Sequence, residues 1–198
     1  MFLALKMYKP VSPELYLDVA TRAEWRAWLR RRHNSAKEVW LVFNNKHTGR
    51  PRVSYNDAVE EALAFGWIDS TAHRLDEDRY AQRFTPRRPG SPYSESNLAR
   101  LRSMAGRGKI PSDILAKVRP LLVAKPVRVP PDILAAIKSD PETWRNFRTY
   151  SDSYKRIRID YIDGARVRPE EFAKRLRNFL RMTKKNRLIG FGGIQKHY

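Results

Sequence analysis

The 198-residue chain contains no cysteine. That excludes disulfide staples, a thiolate nucleophile and cysteine-ligated zinc, and it leaves the redox compartment undetermined. Its histidines, His33, His47, His73 and His197, are scattered, with no His-x-x-x-His or histidine–carboxylate spacing for a metal. There is no Gly-x-Ser-x-Gly elbow and no dinucleotide fingerprint. Gly106-Arg107-Gly108-Lys109 is a basic turn and not a phosphate loop, because the glycine spacing is wrong and no Ser or Thr follows. Neither a metal nor a cofactor is expected. No apolar run approaches membrane-spanning length, and Met1 to Lys9 is too short for a secretory h-region and lacks a small-residue cleavage site. A cytoplasmic protein is the expectation. Acidic residues are also scarce: 21 Asp and Glu face 40 Lys and Arg, for a formal net charge of +19.

That imbalance is the first positive signal, and it is uneven. The first hundred residues carry 17 basic and 12 acidic side chains, the remaining 98 carry 23 and 9. A basic excess in one half fits a polyanionic partner, nucleic acid or an anionic membrane surface, although an arginine-rich solvated surface produces the same count.

Along the chain, Thr21-Arg22-Ala23-Glu24 is a capping-box signature opening a helix on Trp25, Trp28 and Leu29, closed by Arg30, Arg31 and Arg32. Glu38 to Phe43 alternates as a strand that is apolar on both faces, which suggests an interior position. Asn44 to Gly49 is a turn, and Ser54-Tyr55-Asn56-Asp57 caps a helix ending at Gly66. Trp67 to Ser70 and Arg79 to Thr85 flank an acidic turn, Asp76-Glu77-Asp78, as a β-hairpin. Ser94 caps a helix with Leu98, Leu101 and Ala105 inward, and Pro120 must kink or end a helix on Ile114, Leu115 and Val118. Lys125 to Pro131 reads as an extended linker. Four helices follow, with Asp140-Pro141 opening the second, Tyr154, Ile157, Tyr161 and Ile162 inward on the third, and Phe172, Leu176, Phe179 and Leu180 forming the stripe of the last. Gly190 to Ile194 is irregular. The fold class expected is α+β: residues 1–125 form a small antiparallel sheet, with a β-hairpin, packed by helices; residues 126–198 form a basic helical region.

The polar residues with chemical potential concentrate after the hairpin. Pro86 and Pro89 bracket Arg87 and Arg88, and with Arg83 they precede Ser91, Ser94 and Asn97 at a helix start, where amides and the dipole favour an anion. These six residues are the candidate small-anion site, with Trp40, Trp67, Asp69 and Phe84 as its pocket. Asp69 and Arg83 on adjacent strands are a candidate cross-strand ion pair. Asp69 and His73, four residues apart, share a face only if the strand is regular. Lys174, Arg175, Arg177, Arg181, Lys184 and Lys185 decorate the last helix as the candidate polyanion surface.

Glu38-Val39-Trp40-Leu41, then Tyr55 to Leu63 (Tyr-Asn-Asp-Ala-Val-Glu-Glu-Ala-Leu), Phe65-Gly66-Trp67-Ile68-Asp69, and Arg83-Phe84-Thr85-Pro86-Arg87-Arg88 with Ser91, Ser94 and Asn97 resemble, in this order, the signature blocks of the YdeI/OmpD-associated or bacteriocin-protection family. Trp144 to Leu180 resembles the family's helical appendage. Tyr93-Ser94 stands where the family often has Trp-Ser, so the aromatic is retained. The resemblance implies no reaction; the family's names imply envelope stress or antimicrobial-peptide resistance, and its members are sometimes described as periplasmic, which the expected lack of a signal peptide here does not match.

Two functions are consistent with these residues. The favoured one is a non-enzymatic binding protein for an anionic ligand, nucleic acid before lipid. The alternative is an enzyme on a small phosphorylated or carboxylated metabolite, with Asp69 as acid/base and the arginines as a clamp.

Overall fold

A computed structural model describes residues 11–190 and 193–198. Met1 to Lys9, and Phe191 and Gly192 of the glycine-rich tail, lie outside the described residues. Among the described residues the chain forms eight α-helices and a four-stranded sheet, an α+β fold. It divides into two compact units, Met1–Arg88 and Pro89–Tyr198. The segment expected as a linker, Lys125 to Pro131, is irregular up to Pro130 and lies within the second unit.

The first unit is organised on strands β1 (Tyr16–Leu17), β2 (Val39–Asn44), β3 (Trp67–Arg74) and β4 (Arg79–Pro86), in the order β1-β2-β4-β3. β3 and β4 form the expected antiparallel hairpin, and β2 runs antiparallel to β4. The interior position of β2 explains its apolar faces: Val39 to Phe43 are all buried. The two-residue β1 pairs parallel to β2, so the sheet is mixed at this edge. A two-residue strand shows no alternation, which is why the sequence does not signal it.

Two helices complete the unit, α1 (Arg22–Arg32) and α2 (Tyr55–Ala64). The capping box forms as expected: Thr21 Oγ1 accepts the Glu24 N–H at 3.2 Å, and the Glu24 carboxylate accepts the Thr21 and Ala20 N–H groups. Trp25 of α1 packs its ring on Phe84 of β4, centroids 5.3 Å apart. α2 is followed by Gly66 in the left-handed region, φ 74°, a conformation that side chains with a Cβ resist. Its carbonyl then accepts the Arg87 N–H at 2.9 Å, which ties the end of the hairpin back to the end of α2.

The second unit is helical: α3 (Glu95–Gly106), α4 (Ser112–Val118), α5 (Pro131–Lys138), α6 (Pro141–Thr149), α7 (Asp152–Asp163) and α8 (Pro169–Lys184). Its core gathers Ile133, Ile137, Phe147, Tyr154, Ile159, Ile162 and Phe179, with Phe172, Leu176 and Leu180 packed against it. The stripe read on α8 is therefore its core-facing side. Two inward faces differ from expectation. On α3 the buried residues are Ala99, Arg100, Leu101 and Met104, because a buried arginine displaces the face from the one its apolar neighbours mark. On α7 Tyr161 is 49% exposed, and Arg158 is buried instead.

Candidate functional site

The residues of the expected anion site are distributed by the fold. Arg83 is committed internally: its Nε donates to Glu38 Oε2 at 2.8 Å and its Nη2 to the same oxygen. Arg83 therefore does not pair with Asp69, which accepts the Tyr55 hydroxyl at 2.8 Å. The register gives the reason. Asp69 stands opposite Phe84, so Arg83, one position away, projects from the other face. A bulge between Asp69 and Ala72 adds one residue to β3 and reverses its parity, which places His73 opposite Ala81 and on the face away from Asp69. His73 Nε2 is instead 3.0 Å from the Tyr16 hydroxyl. The pocket aromatics are core: Trp40, Trp67 and Phe84 are buried, and the Trp67 indole N–H donates to the His33 carbonyl.

Arg87 and Arg88 end the first unit, half-buried and exposed respectively. Ser91, Ser94 and Asn97 belong to the second. There Ser94 caps α3 by accepting the Asn97 N–H, and Asn97 Oδ1 accepts from Arg100 Nη1 at 3.1 Å. One amide of this helix start already holds an anion of the chain's own, since the Glu95 N–H donates to Asp160 Oδ2 at 3.1 Å. Burial, with the nearby charges of Glu95 and Asp163, nevertheless pushes the Asp160 carboxyl above the usual range.

α8 behaves differently. Lys174, Arg177, Arg181, Lys184 and Lys185 are exposed, and Arg175 is half-buried. Lys184 is held by Asp140, 2.8 Å away. Hydrogen bonds from Lys184 and from the Thr143 amide and hydroxyl lower the Asp140 carboxyl to about 2. Arg181 donates to Asn178 Oδ1 at 2.8 Å, and Lys174, Arg177 and Lys185 have no hydrogen-bond partner among the described residues. After Glu171 the sequence contains no Asp or Glu at all, whereas Lys174, Arg175, Arg177, Arg181, Lys184, Lys185, Arg187 and Lys196 follow.

Between α7 and α8 lies a cavity of about 200 Å³ lined by Arg158, Tyr161, Lys174, Arg175 and Asn178, with Glu171 at its side. Arg175 is its centrepiece. Its Nε donates to Glu171 at 2.8 Å, its Nη1 to the Tyr161 carbonyl at 2.6 Å, and its guanidinium lies 3.8 Å from the Tyr161 ring centroid. The Arg175 hydrogen bond holds Glu171 below the usual carboxylate range. Arg158 is 7% exposed; its Nη2 donates to the Tyr198 hydroxyl, while its buried Nε has no partner among the described residues. Burial also pushes the neighbouring Tyr154 phenol up to about 12. The sequence pattern marks Lys174 and Arg175 as surface cations and does not reveal the cavity. The spacing Arg158/Tyr161 on one helix and Lys174/Arg175/Asn178 on the next was its only trace.

Residues 17–117 match the model of a domain of unknown function, DUF8412, and residues 126–186 match the model described as Bacteriocin-protection, YdeI or OmpD-Associated. The chain belongs to the DUF8412 family and carries a YdeI/OmpD-associated domain. No curated protein and no solved structure matches it. The YdeI/OmpD-associated segment covers α5 to α8, the helical part, including all of the α8 surface. The blocks before residue 110 that suggested this family fall instead within the DUF8412 segment.

The DUF8412 segment has its own polar centre, absent from the sequence reading. Arg22 of α1 donates to Asp57, Glu60 and Glu61 of α2 at 2.6, 2.8 and 2.6 Å, and Arg26 reaches Glu61 at 2.6 Å. Burial opposes the Arg22 charge, but the bonds to Glu61 and Glu60 outweigh it and raise its pKa. Glu60 is fully buried and also accepts from Asn56 Nδ2. The signal was Asp57, Glu60 and Glu61 at helical spacing beside apolar neighbours. Among the described residues no group of three or more His, Asp or Glu could hold a metal ion, and no helix is long and apolar enough to cross a membrane.

Proposed function

We propose that this protein is a non-enzymatic polyanion-binding protein of the stress or bacteriocin-protection type, acting in the cytoplasm with nucleic acid as its partner, and that the exposed side of α8 is the contact surface. One observation carries the reading: Lys174, Arg177, Arg181 and Lys185 stand exposed at steps of three and four residues, on a stretch that itself contains no acidic residue. At 1.5 Å per residue they make a stripe about 16 Å long, able to follow consecutive phosphates of one strand.

An anionic membrane is the weaker partner for a physical reason. An interfacial helix must bury its apolar face among lipid chains, and here Phe172, Leu176, Phe179 and Leu180 are packed against the unit's own core.

The test is retention of a single-stranded oligonucleotide at low salt by the full chain and by a variant with Lys174, Arg177, Arg181 and Lys185 all changed to Ala. The reading expects binding by the first and loss in the second, with Tm preserved because these side chains hold no core contact. Equal retention by both, or capture by phosphatidylserine vesicles with none by the oligonucleotide, would overturn it.

A further inference from the structure

We propose that the cavity between α7 and α8 is a binding site for a phosphomonoester dianion. The proposal rests on the polyanion reading for its setting and shares Lys174 with it, but its other groups, Arg158, Arg175 and Asn178, lie outside that stripe.

The polar part of the cavity consists mostly of donors, beside a wall formed by Ile162, Phe179 and Ile189. Arg175 uses Nε and Nη1 internally and leaves Nη2 available. Asn178 gives its carbonyl oxygen to Arg181, so its amide nitrogen is the end left to bind a ligand. Lys174 brings an ammonium with no hydrogen-bond partner among the described residues, and Arg158 brings a buried positive charge whose Nε is likewise unpartnered. The sole carboxylate of the lining, Glu171, is neutralised by Arg175, so the cavity retains an excess of two positive charges.

Those features select the ligand. Donors that converge from two helices and three residue types suit a tetrahedral oxyanion with several acceptor oxygens better than a planar carboxylate, which one guanidinium fork satisfies. Two uncompensated positive charges match a dianion. The volume of about 200 Å³ accommodates a phosphoryl group and the first atoms of what bears it, and the half-exposed Tyr161 ring offers a wall for a flat or apolar substituent. Arg175, stacked on that ring and tethered at two nitrogens, is held in place before the ligand arrives, which lowers the ordering cost of binding. The phosphomonoester belongs either to a free small molecule or to the 5′ end of a strand lying on α8.

Calorimetric titration of the full chain at pH 7.5 and constant ionic strength tests the site, first with inorganic phosphate, then with one oligonucleotide carrying a 5′-phosphate or a 5′-hydroxyl. Saturable phosphate binding is expected, weakened roughly tenfold or more by Asn178→Asp, which places a carboxylate at an exposed position and should leave Tm unchanged. Arg175→Lys keeps the charge and removes the fork, and the same loss is expected with Tm monitored as the folding control. A 5′-phosphate preference that disappears in Asn178→Asp assigns the site to strand ends; phosphate binding without that preference assigns it to small phosphorylated molecules. No saturable phosphate binding, or binding unchanged in both variants, overturns the proposal. Arg177→Ala with Lys185→Ala separates the two readings, since it weakens oligonucleotide binding and leaves inorganic phosphate titration intact if the cavity is a site of its own.

Discussion

Arg22 shows how one side chain sets the terms for a whole helix. Glu60 is fully buried and Glu61 nearly so, and a carboxylate removed from water is costly unless paired and hydrogen-bonded. Arg22→Ala would remove the guanidinium that donates to both carboxylates. We expect a loss of about 3 kcal/mol in urea unfolding, the lower end for breaking a buried pair because the Arg22 side chain is itself 31% exposed. A change under about 1 kcal/mol would show that water reaches Glu60 and replaces the guanidinium. Asp140 makes a pH prediction at the same scale. Its folded pKa of about 2 lies below the unfolded carboxylate value, so its contribution is fully present above roughly pH 4 and is lost as pH falls toward 2. Thermal melts across that window should converge for the wild type and Asp140→Asn at the acid end and separate above it. Parallel curves throughout would mean that the bonds to Lys184 and Thr143 add nothing.

At the scale of elements, the helix starts were legible because capping is local chemistry. Thr21, Ser54, Ser94 and Asp140 all accept the backbone N–H three residues on, and so does Ser151, which was not singled out from the sequence. Thr21→Ala should cost about 1 kcal/mol, measured by chemical denaturation, and Thr21→Ser should restore most of it. The hairpin and the interior β2 were legible from period-two alternation and from the apolar faces of Val39 to Phe43. What the sequence hid depends on partners distant along the chain. Arg158 and Arg100 are cations in buried faces, which periodicity reads as solvated, and Tyr161 was assigned inward by the same rule. The bulge between Asp69 and Ala72 is a single extra residue with no composition signature, yet it decides that Asp69 and His73 cannot act together. Arg83 was read as a ligand-binding cation because its carboxylate, Glu38, lies 45 positions away. On α8 the apolar stripe marks the core-facing side, whereas Arg175, expected on the surface, is half-buried: Phe179→Ala, removing a ring 1% exposed, should cost about 3–5 kcal/mol, and Arg177→Ala should leave the unfolding midpoint unchanged.

Across the whole molecule, the excess of cations is a statement about partners and solubility and carries no information about fold. Many of the cations are absorbed by the structure itself, as Arg22, Arg26, Arg83, Arg166 and Lys184 show. The net charge of +19 therefore matters through a minority of the cations, Lys174, Arg177, Arg181 and Lys185, which stand exposed on α8 and at its C-terminal end. The central claim is that this minority neutralises phosphates, and the salt dependence of oligonucleotide binding measures that directly. With Lys174, Arg177, Arg181 and Lys185 each engaging a phosphate of a single strand, the slope of log affinity against log salt should be about −3, falling toward zero when the four are replaced by Ala. Binding that barely changes with salt, or a steep slope that survives the replacement, would contradict the account.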